Sequence, residues 1–194
     1  MTFIFRLYEY LFRKFNLFYQ MLVKSKFSSV GKEFSLIYPA IVLGAENIVI
    51  GNNFYAHKGL RIETFNIRST REVGRSPIIT IGNNVCINTN CHIGAINNIE
   101  IKDNVLIGSN VLIKDHQHGR IDLENLSIPP SLRKLYSKGP VVIEENVWIG
   151  DGVKIMPGVR IGKNAIIGAN AVVTKDIPDN CVAVGIPAVV VRRF

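Results

Sequence analysis

The chain has little cysteine and no long apolar run, and we expect no secretory signal. Its 194 residues include 3 cysteines, and Cys86, Cys91 and Cys181 form neither a CxxC pair nor an even disulfide framework. We interpret them as small apolar fillers and expect a reducing compartment, the cytoplasm. The N-terminal apolar stretches are broken by charges and are far shorter than the ~18 residues needed to span a bilayer. This terminus also lacks the basic start and small-residue cleavage site of a secretory signal.

Acidic residues are too few to balance the basic ones. Lys and Arg total 23 against 15 Asp and Glu, which gives a formal net charge of +8. Such an excess attracts phosphates, a nucleotide-like cofactor or an anionic membrane surface. Because no nucleic-acid-binding motif accompanies the charge, we expect no nucleic-acid partner. The hydrophobic content of 47% is typical of a packed domain.

Residues 1–30 are predicted to form an N-terminal amphipathic helix, followed by one domain over residues 31–194. Aromatic and aliphatic side chains in this segment are interrupted by charges such as Arg6, Arg13 and Lys24. Two roles stay open for it. Residues 1–27 could make a peripheral contact with the inner face of the membrane, or the helix could cap the open end of the fold.

Most of the remaining chain follows a six-residue repeat. The first apolar position of the repeat recurs at Ile143, Ile149, Ile155, Ile161, Ile167 and Val173. A second apolar residue stands two positions before the next one, as in Val147 and Ile149, so both face one side of a short strand. Gly and Asn after the strands predict corners. Stacking such units buries a common aliphatic interior, which predicts an all-β fold, a parallel β-helix.

Two segments interrupt the repeat and are expected to carry function, as long excursions from a rigid scaffold usually do. The first runs from Arg61 to Pro77 and is rich in arginine, at Arg68, Arg71 and Arg75, which suggests an anionic acceptor. The second is a protruding loop over residues 114–138. Counting strands through that loop places four apolar residues on the outside of one face: Cys86, Leu106, Trp148 and Ile166. Such a column predicts contact with another copy of the chain.

The protruding loop begins with two histidines, in the run from Asp115 through His116 and His118 to Gly119. Because the regular coil ends there, we expect both imidazoles to be exposed. An imidazole of near-neutral pKa can accept a proton from a hydroxyl group. The motif taken alone also fits an ordinary solvated loop.

The surrounding segments, Ile87–Gly119 and Lys138–Asn180 with its NVWIG run, resemble one family. They are similar to the hexapeptide-repeat O-acetyltransferases of capsule, O-antigen and colanic acid synthesis, relatives of galactoside, maltose and serine acetyltransferases. The resemblance implies a left-handed β-helix with three faces per coil and a homotrimer. It also implies transfer of acetyl from acetyl-CoA to a sugar or glycan hydroxyl in surface polysaccharide synthesis, with no metal.

The same resemblance assigns roles to individual residues. His116 would be the general base, and the substrate-binding residues would be Asn88, Trp148, His118 and Asp115. Coenzyme A would be bound by the coil edge and by two cations: Gly150, Gly168, Ala169, Lys175 and Arg192. The chain departs from the family where Leu135–Lys138 lacks a glutamate, which leaves the acid that orients His116 unassigned.

Spacing also bears on where the acceptor binds. Asn88 follows the second face of its coil and His116 follows the third, so one strand of ~15 to 20 Å separates their corners. If both residues serve one acceptor, the site lies between subunits, unless the loop bends His116 toward its own Asn88.

Two other functions remain open from the sequence. The repeat alone could serve as a non-enzymatic scaffold. A zinc lyase of the γ-type carbonic anhydrase kind would use three histidines, but His57, His92 and His116 are expected on scattered corners and strands.

Overall fold

The computed structural model describes residues 2–65 and 78–194 and confirms a β-helix built from short parallel strands. The helix α1 (Thr2–Lys24) comes first. The strands up to the end of the third coil are β1 (Ser29–Val30), β2 (Phe34–Leu36), β3 (Ile41–Leu43), β4 (Ile48–Ile50), β5 (Phe54–Ala56), β6 (Arg61–Thr64), β7 (Ile78–Ile81), β8 (Cys86–Ile87) and β9 (His92–Ala95). Arg68, Arg71 and Arg75, from which the sequence suggested an anionic acceptor, lie outside the described residues.

The later coils include the protruding loop. Their strands are β10 (Asn98–Ile101), β11 (Leu106–Ile107), β12 (Leu112–Lys114), β13 (His116–His118), β14 (Leu135–Ser137), β15 (Val141–Ile143), β16 (Trp148–Ile149), β17 (Lys154–Ile155), β18 (Arg160–Ile161), β19 (Ile166–Ile167), β20 (Val172–Val173), β21 (Cys181–Gly185) and β22 (Ala188–Arg193). The short helix α2 (Leu123–Leu126) lies in the loop, and 3₁₀ turns occupy Ala45–Asn47 and Pro130–Leu132.

Strands three apart along the coils pair in parallel and form three faces. Face A contains β1, β4, β7, β10, β15 and β18, and face C contains β3, β6, β9, β12, β17 and β20. Face B contains β2, β5, β8, β11, β16 and β19, and it ends in the antiparallel hairpin of β21 and β22. Each coil therefore contributes one strand to each face, as three hexads per turn require.

The interior is a stack of aliphatic side chains in register. Along face B, each interior isoleucine pairs with the one on the next coil and is at most 1% exposed, as in Ile87, Ile107, Ile149 and Ile167. Because side chains alternate across a strand, the residue before each of them points outward. The predicted apolar column is confirmed in this register, since Cys86 pairs with Leu106, Leu106 with Trp148, and Trp148 with Ile166.

Asparagines form a ladder along one corner of the prism. Their backbones are left-handed, with φ between 53° and 60°, and their side-chain amides are hydrogen-bonded from coil to coil at 2.7–3.1 Å. The ladder consists of Asn53, Asn84, Asn104, Asn146, Asn164 and Asn180. Asparagine tolerates the left-handed region better than most residues because its short side chain bonds locally. The corner positions thus have a structural role.

The protruding loop has an ordered base. Strands β13 and β14 form an antiparallel ribbon in which His116 pairs with Ser137 and His118 with Leu135. At the tip, the Asp122 side chain caps α2 by accepting a hydrogen bond from Asn125 N at 2.8 Å. The ribbon holds the first residues of the loop against the coil from which they come.

The helix α1 contacts the first coil through its C-terminal half. The Tyr19 hydroxyl donates to Ala40 O at 3.0 Å, and the Asn16 side chain accepts from Tyr38 N at 2.8 Å. Val23 is buried in the core. Much of the rest of α1 leaves large apolar side chains exposed, and no helix of the described ranges is long and apolar enough to cross a membrane.

Candidate active site

The His116 imidazole is held by a buried carboxylate. Asp115 is fully buried at the end of face C, where its oxygens accept hydrogen bonds from Ile96 N at 2.9 Å and from Asn97 N at 2.7 Å. The same carboxylate lies 3.0 Å from His116 Nδ1. Because a carboxylate only accepts hydrogen bonds, Nδ1 carries a proton, and in the neutral ring Nε2 therefore keeps its lone pair. Asp115 therefore fills the orienting role that the sequence left unassigned.

His116 is more enclosed than the sequence predicted. We expected both imidazoles to be exposed, but His116 is only 7% exposed, whereas His118 is exposed. The ribbon pairs His116 with Ser137, and the ring of Phe65 meets the imidazole edge-on at 5.4 Å between centroids. The expectation failed because these contacts are remote in sequence.

The second ring nitrogen of His116, Nε2, nevertheless reaches the surface. Its Nε2 has no hydrogen-bond partner in the part of the chain that the structure describes, and no buried side-chain nitrogen or oxygen there lacks a partner. An unpartnered Nε2 must therefore be accessible. Enclosure of the ring with one accessible lone pair is an arrangement suited to a general base.

Asp115, which the sequence assigned to substrate binding, offers no exposed side-chain surface. The side chain is 0% exposed, and its oxygens already accept two backbone amides and the imidazole. No surface is left for contact with an acceptor. The Asp115 side chain instead contacts the His116 imidazole.

A second carboxylate–imidazole pair lies beside His116. Glu63 is 1% exposed, and its oxygens lie 2.8 Å from Arg61 Nε and 2.7 Å from His92 Nε2. Burial alone would raise the Glu63 pKa, but the hydrogen bonds from Arg61 and His92 lower it below the ordinary value. Burial also lowers the pKa of His92, against the opposing effect of Glu63. Both directions agree with an ionised Glu63 that accepts from a neutral imidazole.

The two imidazoles meet at Gly94. A Cβ at this glycine would lie 3.4 Å from His116 Cε1 and 3.6 Å from both His92 Nε2 and Glu63 Cγ. The three histidines lie on different elements, with His92 on β9, His116 on β13 and His57 after β5, but His92 and His116 are nevertheless neighbours across Gly94. Within residues 2–65 and 78–194 no group of three or more His, Cys, Asp or Glu side chains could hold a metal ion.

Asn88 lies at the opposite edge of face C. It follows β8, and its N–H donates to Ile107 O at 2.9 Å. Gly150 and Gly168 follow β16 and β19 and therefore stand in the same corner column. Trp148, 53% exposed, lies on face B next to this edge. In one chain, face C separates Asn88 and Trp148 from His116.

The predicted coenzyme A residues are divided between edges. The N–H groups of Gly150 and Gly168 donate to Ile167 O and Ala183 O at 2.8 and 2.9 Å, so these two donors are already engaged between coils. The Ala169 N–H has no acceptor among the described residues and stays available. Lys175 is exposed after β20, on the His116 edge. Arg192 is exposed on β22, and its guanidinium carbon lies 4.6 Å from the centroid of the Phe194 ring.

A cleft of about 510 Å³ runs between the protruding loop and the His116 edge of the coils. Its walls include Gln117, Arg120, Tyr136, Lys138, Met156 and Thr174. The Arg120 guanidinium lies over the Tyr136 ring at 4.8 Å. The cleft thus carries two cations, Arg120 and Lys138, and one carboxylate, Asp122.

Comparison with known proteins identifies the family. Residues 140–175 match the bacterial transferase hexapeptide family (six repeats). The chain is 35% identical over 161 residues to WbbJ of Escherichia coli K12, a protein assigned as an O-acetyl transferase of lipopolysaccharide biosynthesis, with 81% of this chain and 77% of WbbJ covered. The chain belongs to the hexapeptide-repeat O-acetyltransferases.

Two further relatives agree with this membership. The galactoside O-acetyltransferase of Escherichia coli K12 is 36% identical over 178 residues, which cover 90% of this chain and 68% of that protein. A structure of galactoside acetyltransferase in complex with coenzyme A superposes with a TM-score of 0.59 at 32% identity, over 90% of this chain and 68% of that one.

Membership decides among the functions left open by the sequence. This hexapeptide-repeat protein has the left-handed β-helix of its family, and it is an acetyl-CoA-dependent O-acyltransferase. The non-enzymatic scaffold and the zinc lyase are therefore set aside, because its relatives are named acetyltransferases.

Proposed function

We propose that the enzyme acetylates a hydroxyl group of a sugar or glycan precursor during surface polysaccharide synthesis, in the cytoplasm at the inner face of the membrane. The accessible Nε2 of His116, backed by the buried Asp115, is the observation that carries this proposal. The relationship to WbbJ supports the polysaccharide acceptor. The basic charge of the chain suits acceptors and donors that carry phosphates.

The proposed reaction is a direct transfer. Nε2 of His116 takes the proton of the acceptor hydroxyl while the hydroxyl oxygen attacks the thioester carbonyl of acetyl-CoA. The C–S bond then breaks, and the leaving thiolate of coenzyme A receives the proton from the imidazolium. Asp115 stabilises the transient positive charge through Nδ1, 3.0 Å away. No covalent acetyl-enzyme is needed.

Acetyl-CoA is proposed to bind at both coil edges. The Ala169 N–H is available at one edge, and Lys175 with the cleft cations Arg120 and Lys138 lies at the other. Face C separates these groups within one chain. We therefore propose that the donor lies between the His116 edge of one protomer and the Asn88 edge of its neighbour.

We infer a homotrimer from the same geometry. The exposed column on face B, which contains Leu106 at 41% and Trp148 at 53% exposure, lies next to the Asn88 edge. Burying this column against a second copy would bring that copy's His116 edge toward Asn88 and Trp148. A closed ring of three such contacts buries every column.

Replacing His116 tests the chemistry. We expect His116→Ala to lower turnover by about 10²- to 10⁴-fold, because a general base contributes an effect of this size. His118→Ala is the matched control, since this exposed histidine lies two residues away and should lose far less. Acetyl transfer to a panel of methyl glycosides and nucleotide-linked sugars, with coenzyme A affinity measured in parallel, provides the readout. Equal turnover in His116→Ala and the unmodified enzyme would end the mechanism.

Mixing two inactive variants tests the shared site. His116→Ala and Asn88→Ala damage opposite edges of face C, so a trimer containing both chains can rebuild an intact site where two undamaged edges meet. Refolding or co-expressing them in equal amounts should restore up to about a quarter of the unmodified activity. No recovery in mixed trimers of verified composition would place Asn88 and His116 in one chain's site.

The exposed apolar stripe of α1 suggests the membrane contact. Ile4, Leu11 and Phe18 are seven residues apart, so they share one side of the helix, and they are 73%, 56% and 56% exposed. Arg13 and Lys14 are exposed on the same helix. A basic helix with such a stripe binds the interface of an anionic bilayer.

A substitution within α1 tests this contact better than deletion, because the contacts of Asn16, Tyr19 and Val23 with the first coil remain. We expect the triple change of Ile4, Leu11 and Phe18 to Ser to abolish co-sedimentation with phosphatidylglycerol vesicles and to leave soluble acetyl transfer intact. Phosphatidylcholine vesicles serve as the control for charge. Unchanged co-sedimentation, or loss of the trimer instead, would contradict the membrane role.

A further inference from the structure

The hollow at Gly94 contains a second oriented imidazole that the proposed reaction does not use. On face C, Glu63, Gly94 and Lys114 occupy equivalent outward positions on neighbouring coils. Gly94 alone among them has no side chain, and His92, Glu63 and His116 surround the space it leaves. Two rings therefore line one hollow, each held by its own buried acid.

The hydrogen bonds fix which nitrogen of His92 is available. Glu63 accepts from Nε2 at 2.7 Å, so that nitrogen carries the proton and Nδ1 keeps its lone pair. The His92 side chain is 24% exposed, and Nδ1 has no partner among the residues that the structure describes. Since no buried side-chain nitrogen in that part lacks a partner, Nδ1 is accessible.

Burying Glu63 in the Glu63–His92 pair has an unfavourable desolvation free energy. Glu63 is 1% exposed on the outward side of a strand, where a charged side chain ordinarily reaches solvent. Burying a carboxylate requires desolvation, which Arg61 and His92 offset here through direct hydrogen bonds. A buried acid that fixes an imidazole beside a reactive one is a pattern of functional sites.

We propose that His92 binds the acceptor: its Nδ1 accepts a hydrogen bond from a second hydroxyl group, next to the hydroxyl that His116 deprotonates. The acceptor class is therefore a polyol with neighbouring hydroxyl groups. Glu63 is a positioning residue that fixes the His92 tautomer. This inference rests on the proposed role of His116, because it concerns the same acceptor.

Two replacements of His92 separate binding from support. The amide of His92→Gln reaches the Nε2 position and can still donate to Glu63, but it leaves nothing at Nδ1. The amide of His92→Asn occupies the Nδ1 position and loses Glu63. We expect His92→Gln to raise the acceptor KM about 2- to 10-fold, the effect of one lost hydrogen bond, with the acetyl-CoA KM little changed and partial recovery in His92→Asn. If His92→Gln leaves the acceptor KM unchanged and His92→Asn raises it, then His92 has only a structural role.

Substrates lacking single hydroxyls give the decisive measurement. With methyl hexopyranosides and their mono-deoxy derivatives, removing the hydroxyl next to the acetylated one should raise KM for the unmodified enzyme. The same removal should add nothing in His92→Gln, because the interaction is already gone. Additive losses would overturn the proposal. If the unmodified enzyme acetylates none of the sugars, the proposed function fails. If it acetylates them and His92→Gln has the same KM for these sugars, only the His92 inference fails.

Gly94 and Glu63 provide variants that keep the fold. A methyl at Gly94 would make ordinary van der Waals contacts of 3.4 to 3.6 Å, so Gly94→Ala should fold and yet fill the hollow, lowering kcat/KM for the sugar at least about tenfold. For Glu63→Gln, the matched control is Glu144→Gln. Glu144 follows β15 at the end of face A, is 9% exposed and forms ion pairs with Lys102 and Arg160. The acceptor KM should rise in Glu63→Gln only, and an equal rise in both would assign Glu63 to stability.

Discussion

Parallel pairing of each coil with the next is the constraint on which the rest of the molecule depends. Backbone N–H groups at the corners donate to carbonyls one coil away, as Gly150 N does to Ile167 O at 2.8 Å. This pairing holds equivalent residues of successive coils in one column. A side chain on one coil is therefore placed relative to its neighbours without any long-range flexibility, and distances between columns are set by strand length.

The site lies where this regularity is interrupted. The chain leaves face C after Lys114 and rejoins the coils on face A at β15, and the ribbon of β13 and β14 holds His116 against the coil. Asp115 joins the two parts, since it accepts the amides of Ile96 and Asn97 on the preceding turn as well as the imidazole. A rigid scaffold thus positions a loop residue to within hydrogen-bonding distance, which catalysis by proton transfer requires.

The sequence predicted what depends on the period and missed what depends on tertiary contacts. The column of Cys86, Leu106, Trp148 and Ile166 was predictable because six-residue spacing alone fixes the face. The burial of His116 depends on Phe65 and Ser137, which are distant in sequence. The Glu63–His92 pair could have been found only from the strand register that pairs Arg61 with His92. The arginine-rich segment between these strands interrupts the six-residue period, so the register cannot be counted along the sequence. The engagement of the Gly150 and Gly168 amides likewise follows from stacking and not from the motif.

The central claim is that His116 presents a bare Nε2 to the acceptor because Asp115 holds the proton on Nδ1. The tautomer can be measured directly from the ¹⁵N chemical shifts of histidine-labelled protein at a pH where the ring is neutral, with His116→Gln used to assign the signals. The account predicts a protonated Nδ1 and an unprotonated Nε2 for His116. A neutral His116 with its proton on Nε2 would contradict it, since that nitrogen could not then accept the acceptor's proton.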